Sequence, residues 1–250
     1  MLVVFTYDFP HKKSHDGILK LIYSGFTPDL VIGAPFRDLG NKSSPLLRVA
    51  PQGLRYPSSA ELCKYFGIRY EVTSHDTLQL SNRLNDLNPE LGIILGARIL
   101  KECIISNFQI GIINMHPGCL PHNRGLDNLK WAIFDQLPQA VSTHLIDSKI
   151  DLGELMEICT VPVFEDDSFI DISMRTQNYE LESLISVMHK LRNREFKTYS
   201  LRVGKYNKIM DHKNEGIVKE KFDWYKRQYS SIRETYVETN PELPWVNFEN

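Results

Sequence analysis

The chain has 250 residues, with 29 Lys+Arg against 31 Asp+Glu and 42% hydrophobic residues, which excludes intrinsic disorder and gives no sign of a bulk nucleic-acid binder. With 14 Gly, 13 Pro and no repeat, collagen-like and low-complexity classes fall away as well. The length exceeds one domain of about 100–150 residues and falls short of two, which suits an α/β core with an appended piece.

In chain order, Leu2–Thr6 reads as a strand, followed by a helix over Ser14–Ser24 with Ile18, Leu19, Leu21 and Ile22 on one face. Gly25 ends it and Leu30–Ile32 starts the next strand. Ser58-Ser59-Ala60-Glu61 is a capping-box pattern opening a helix that stops at Gly67, before a strand at Ile68–Val72. A helix over Thr77–Leu87 precedes apolar strands at Leu91–Leu95 and Ile110–Asn114. Unalternating strands separated by helices predict a mostly parallel sheet with helices on both faces. Beyond this, Gly125–Phe134 reads as helix, Val141–Ile146 and Glu154–Phe164 as strands, and a long helix runs from Asp167 or Ser168 to about Arg194. These elements give a core over residues 1–195 and a small extension over 196–250 for dimerisation or acceptor binding. Between Arg192 and Arg233 there are 12 Lys+Arg and 5 Asp+Glu, and Phe222–Phe248 holds seven aromatics, so the extension is basic and aromatic under a near-neutral total. Core or interface packing is expected for most of those aromatics.

Cys63, Cys103, Cys119 and Cys159 form no CxxC pair, which speaks against structural zinc and for a reducing compartment. The N-terminus lacks a basic n-region and no apolar run approaches the roughly 18–20 residues that span a bilayer, so a cytoplasmic protein without a membrane segment is expected.

The chemistry concentrates after the last parallel strand. Asn114-Met115-His116-Pro117 sits where functional groups collect, beyond the strands' carboxyl ends. Leu120-Pro121, Arg124-Gly125, Thr143-His144, and Asp147 with Asp151-Leu152-Gly153 follow. His116 and Asn114 carry donors for a developing oxyanion, and Asp151 can orient an imidazole and take up a proton through water. On its own, a His at a strand end is more often a satisfied core group than a catalyst. His144, inside a strand, is expected to pack, and a metal site of His116, His144 and Asp151 is the weaker alternative.

These ordered motifs resemble the formyltetrahydrofolate-dependent formyltransferases: Asn-x-His-Pro, Leu-Pro, Arg-Gly, Thr-x-His and an Asp-x-Gly turn. The resemblance covers roughly the first 165 residues and extends upstream to Leu95–Leu100, which looks like the family's pterin loop. It implies a Rossmann-like formyltransferase fold, N10-formyltetrahydrofolate as co-substrate, no metal, and Asn114, His116 and Asp151 as the catalytic trio. Arg98, Ile99 and Leu100 would hold the pterin, with Ile146, Asp147 and Ser148 as the opposite wall. Without a GxGxxG motif, no nicotinamide cofactor is implied. The loop Thr6–Lys13 has no glycine, unlike the phosphate loop of glycinamide ribonucleotide enzymes, and some 55 residues after the core are too few for a tRNA-binding barrel. Trp131 after Arg-Gly is similar to sugar N-formyltransferases. The acceptor implied is a nucleotide-linked 4-amino-4,6-dideoxyhexose for surface glycans such as O-antigen, with Tyr7, Lys12, Arg124 and Asn128 as candidate contacts. A homodimer that binds no nucleic acid is expected. The alternatives are another amine acceptor, glycinamide ribonucleotide or methionyl-tRNA, and a non-catalytic binder of folate or nucleotide sugar.

Overall fold

A computed structural model describes residues 1–38 and 45–230, together with the backbone of a short strand at Tyr236–Val237. The chain divides into two compact units, one of Met1–Gly40, Gly53–Asn114 and Leu145–Lys149, the other of Asn41–Gln52, Met115–His144 and Ile150–Asn250. The position expected to separate core from extension, residue 195, lies inside the second unit.

The first unit is a parallel α/β layer. Its strands are β1 (Leu2–Tyr7), β2 (Leu30–Ala34), β3 (Arg69–Val72), β4 (Leu91–Ile94) and β5 (Gly111–His116), the last running on into the second unit. They lie in the order β5-β4-β1-β2-β3, and all four pairings are parallel. Helices α1 (Lys12–Tyr23), α2 (Ser59–Phe66), α3 (Leu78–Leu87) and the short α4 (Glu102–Ile105) connect them. Val3, Phe5, Leu30 and Ile32 pack with Leu80 and Leu84 of α3 and Ile104 of α4. Val4 and Val31, of the opposite parity, are equally buried, so the sheet is covered on both faces. The capping box at Ser58 and Glu61 is formed, and Gly67 ends α2 in the left-handed region.

The second unit contains α5 (Asn128–Asp135), β7 (Ala140–Leu145), β8 (Glu154–Thr160), α6 (Phe169–Asn193) and α7 (His212–Tyr229), with β10 (Tyr236–Val237) antiparallel to β8. Leu145 alone of β7 lies in the first unit. Its core joins Ile133, Ile172, Val218, Phe222 and Tyr225, with Phe169 stacked on Phe222 at 3.9 Å. Of the aromatic extension, Phe222 and Tyr225 are therefore core, while Trp224 is exposed; the side chain of Tyr236, Trp245 and Phe248 lie outside the described residues.

Two expected elements differ. The helix expected from Gly125 begins at Asn128, because Arg124–Gly125 forms a two-residue strand, β6, parallel to β9 (Tyr206–Asn207). Gly125 has φ of +94° and Asp127 of +53°, conformations that no helix contains. The strand expected to Phe164 ends at Thr160, since Pro162 has no N–H to extend a ladder.

Candidate active site

The second unit gathers a polar cluster around His116, which is 3% exposed at the end of β5. Its Nε2 lies 2.7 Å from the Asn123 carbonyl oxygen, an acceptor only, so this nitrogen carries the proton and donates. Nδ1 faces Asp151 Oδ1 at 3.5 Å, within ion-pair reach but too long for a good hydrogen bond. Asp151 Oδ2 accepts from the backbone N–H of Gly125 at 2.8 Å. Asp151 itself is held at φ +52°, so the turn that aims its carboxylate is fixed in a sparsely populated conformation.

Asn123, 1% exposed, is the hub of this cluster. Its carbonyl takes both His116 Nε2–H and Asn128 Nδ2, the latter at 2.9 Å, and its own amide donates to the Asn128 carbonyl at 2.8 Å. Asn128 Nδ2 is also 3.1 Å from His116 Nε2, so Asn128 borders the imidazole. Arg124 is buried, and its guanidinium donates to the carbonyls of Ile150 (3.1 and 2.5 Å) and Gly204 (3.0 Å). It thus ties down the residue preceding Asp151. Trp131 packs with its Nε1–H on the Lys208 carbonyl at 2.8 Å and Lys205 over its ring.

Asn114 is the last residue of the first unit and shares a strand face with His116, two positions on. The first unit also holds the residues expected around a pterin. Ile146 N–H donates to the Ile112 carbonyl at 2.9 Å, and Ala97, Leu100 and Ile146 pack on one apolar cluster. Ile99 is 67% exposed beside them. Arg98 donates to the Pro35 carbonyl at 3.2 Å, and Asp147 accepts from Lys149 N–H in the turn at 2.8 Å. Tyr7 donates to the Ala97 carbonyl at 2.9 Å and stacks on Phe9; burial, only partly offset by Arg98, raises its phenol pKa. Lys12 is paired with Asp16 one turn on in α1. His11 caps that helix, and burial together with Lys13 lowers its imidazole pKa to about 4.

His144 is fully buried in β7. Among the described residues no three His, Cys, Asp or Glu side chains are grouped to hold a metal ion. Nor is any described helix long and apolar enough to cross a membrane. Sequence reasoning missed Asn123, Gly204 and Asn207: no motif marks them, and only Asn123 adjoins one, the Arg-Gly pair.

The first unit's parallel α/β layer is Rossmann-like, and the second unit by itself brings a buried imidazole and a carboxylate together. The profile of the formyl transferase family matches residues 52–188, more than half of the chain, and the chain belongs to that family. It is 26% identical over 163 residues to a methionyl-tRNA formyltransferase of Nostoc sp., which covers 64% of this chain and 47% of the relative. The chain thus spans about half the length of the curated relative it matches. Its fold is similar to a sugar N-formyltransferase from Shewanella sp. (TM-score 0.61, 19% identity, 97% of this chain and 98% of that one). It is also similar to the formyltransferase PseJ from Anoxybacillus kamchatkensis, solved with UDP-4,6-dideoxy-4-formamido-L-AltNAc and tetrahydrofolate (TM-score 0.56, 17% identity, 92% and 97%).

Proposed function

We propose that the chain transfers a formyl group from N10-formyltetrahydrofolate to the amine of a nucleotide-linked amino-dideoxy sugar of the 4-amino-4,6-dideoxyhexose type. The observation that carries this reading is the arrangement of His116, its Nε2–H committed to Asn123 and its Nδ1 turned to the Asp151 carboxylate. Because Nε2 is occupied, proton exchange takes place at Nδ1. The Asp151 carboxylate faces that nitrogen at 3.5 Å. The Asn114 amide and a proton on Nδ1, the nitrogen not committed to Asn123, would be the donors for the oxygen on which charge develops when a neutral amine attacks a formyl carbon. Asp151 assists removal of the proton that the amine sheds. No covalent enzyme intermediate is needed.

Folate is the donor substrate, and the first unit's residues suit it. Ala97, Leu100 and Ile146 form an apolar floor next to exposed Ile99, as a flat heterocycle requires. Arg98, Asp147 and Ser148 would supply polar contacts at its rim. Tyr7, Lys12 and Asn128 are the proposed acceptor contacts, whereas Arg124, its guanidinium occupied by backbone carbonyls, would act by holding the Asp151 turn. The sugar acceptor is supported by the end-to-end fold likeness to the Shewanella enzyme and by Trp131 following Arg-Gly. The sequence likeness to methionyl-tRNA formyltransferases favours a tRNA-borne amine as the second reading.

The test is formyl transfer to a panel of nucleotide-linked 4-amino and 3-amino sugars, with glycinamide ribonucleotide and methionyl-tRNA as competitors. Turnover with a sugar is expected. Turnover only with a competitor overturns the acceptor. His116→Ala and Asp151→Ala should each remove most turnover with the fold intact; near-wild-type rates in either would sink the assignment of the catalytic groups.

A further inference from the structure

Among the described residues, the last segment to reach the His116 cluster is the stretch 204–207, which ends in β9 and enters the cluster by two routes. Along the first, Asn207 Nδ2 donates to Asn123 Oδ1 at 2.9 Å, so the amide that holds the hub residue comes from 84 positions downstream. Along the second, the Gly204 carbonyl accepts from Arg124, whose other nitrogens grip the Ile150 carbonyl next to Asp151. The backbones are locked as well: Leu126 N–H donates to the Asn207 carbonyl at 2.9 Å and Arg124 N–H to that of Lys205 at 3.3 Å.

The fit leaves no slack. A Cβ on Gly125 would lie 2.1 Å from the Asn207 carbonyl oxygen, and one on Gly204 would lie 1.9 Å from the Pro121 carbonyl oxygen. Both contacts are to backbone, which cannot swing aside. Asn207 is 2% exposed, yet its Oδ1 has no hydrogen-bond partner. Burying an amide with its oxygen unpaired is costly, and an apolar side chain would pack there without that cost. What the position gains from an amide is the single bond its nitrogen makes to Asn123.

We propose that Asn207 is a positioning residue for His116, acting through Asn123, and that β9 is thereby part of the catalytic apparatus. Asn123 cannot set the imidazole alone. Its carbonyl receives the His116 Nε2–H, while its side chain is anchored between the Asn128 backbone and Asn207. Remove the Asn207 donor and Asn123 Oδ1 is left with only the 3.4 Å contact from Asn128. The Asn123 peptide then has freedom to turn, and with it the acceptor that keeps the proton on Nε2 and Nδ1 open. The reading rests on His116 being catalytic, so the experiment separates the two.

The decisive variant is Asn207→Asp, which keeps the shape and removes the donor; Asn207→Ala accompanies it. The first readout is independent of any acceptor. In protein labelled with ¹⁵N-histidine, the His116 ring, assigned by its loss in His116→Ala, should show the Nε2–H form in the wild type and a mixture of ring forms in both Asn207 variants. The second readout is kinetic, with dTDP-4-amino-4,6-dideoxyglucose as acceptor. A loss of kcat on the order of 10–100-fold is expected, as misplacement of a catalytic group by up to about 1 Å produces, with KM for both substrates within about twofold of the wild type. An unchanged His116 ring spectrum overturns the proposal whatever the kinetics. Wild-type kcat in Asn207→Asp alongside a dead His116→Ala overturns it too, and leaves the proposed function standing. Full activity in His116→Ala overturns both.

Discussion

Lys130 and Glu215 form an ion pair with almost no access to water, their side chains 4% and 1% exposed and Nζ 2.6 Å from Oε1. Glu215 Oε2 also accepts from Leu46 N–H at 2.6 Å, and Lys130 has a second anion in Asp127 at 3.4 Å. Burial pushes the Glu215 carboxyl up, but the bonds from Lys130 and Leu46, with the charges of Lys130 and His212, outweigh it and hold the carboxyl below the usual range. Removing one partner of such a pair strands a buried charge, which costs about 3–5 kcal/mol. The two deletions are not equivalent. Lys130→Met leaves the carboxylate with the Leu46 N–H and the weaker influence of His212 but without the ammonium at 2.6 Å, so it should cost the upper end of that range. Glu215→Gln leaves the ammonium with Asp127, so it should cost the lower end. For a chain of this size, about 3–5 kcal/mol corresponds to a fall in Tm of roughly 6–20 °C. The double variant should recover much of the loss, because no unpaired charge remains. Urea unfolding of the four proteins at pH 7 measures this, at low and high salt, and the pair's contribution should be insensitive to salt. Single variants within about 0.5 kcal/mol of the wild type, or losses that simply add, would refute the reasoning.

Two further outcomes are expected. His75 is 2% exposed with Nε2 on the Ile32 carbonyl, and burial lowers its pKa to about 4 despite that bond, so it folds neutral and charges on unfolding near 6.5. The unfolded state then binds more protons between pH 6.5 and about 4. The stability from this group is complete above about 6.5 and is lost as pH falls toward 4; urea titrations from pH 8 to 5 should show the decline, and His75→Gln should flatten it. Burial alone pushes the Cys63 and Cys119 thiols up to about 12, so neither should react with a thiol reagent in the folded protein at pH 8, and both should react on unfolding; fast native-state labelling of either would contradict their buried setting.

Much of the fold is written locally. Ser58 with Glu61 forms the capping box its spacing announces, and Thr77 caps the helix expected to start there, while the Ser168–Asp171 box and the His11 cap appear only in the structure. Such signals are readable because both partners lie within one turn. The helix expected at Gly125 fails for the opposite reason. What decides its start is the approach of the Asn207 carbonyl to Gly125, a contact across 82 residues that no local pattern encodes.

The sequence by itself determined the alternating strands and helices, the placement of Asn114 and His116 on one face at the end of a strand, and membership of the family whose motifs it carries. Tertiary structure alone decided which ring nitrogen of His116 faces Asp151, that Asn123 is its anchor, and that a basic, aromatic extension reaches back through Gly204 and Asn207. The physical reason is range. Helix caps and strand alternation are set by neighbours a few residues away, whereas the tautomer of a buried imidazole is set by whichever acceptor the fold brings to 2.7 Å.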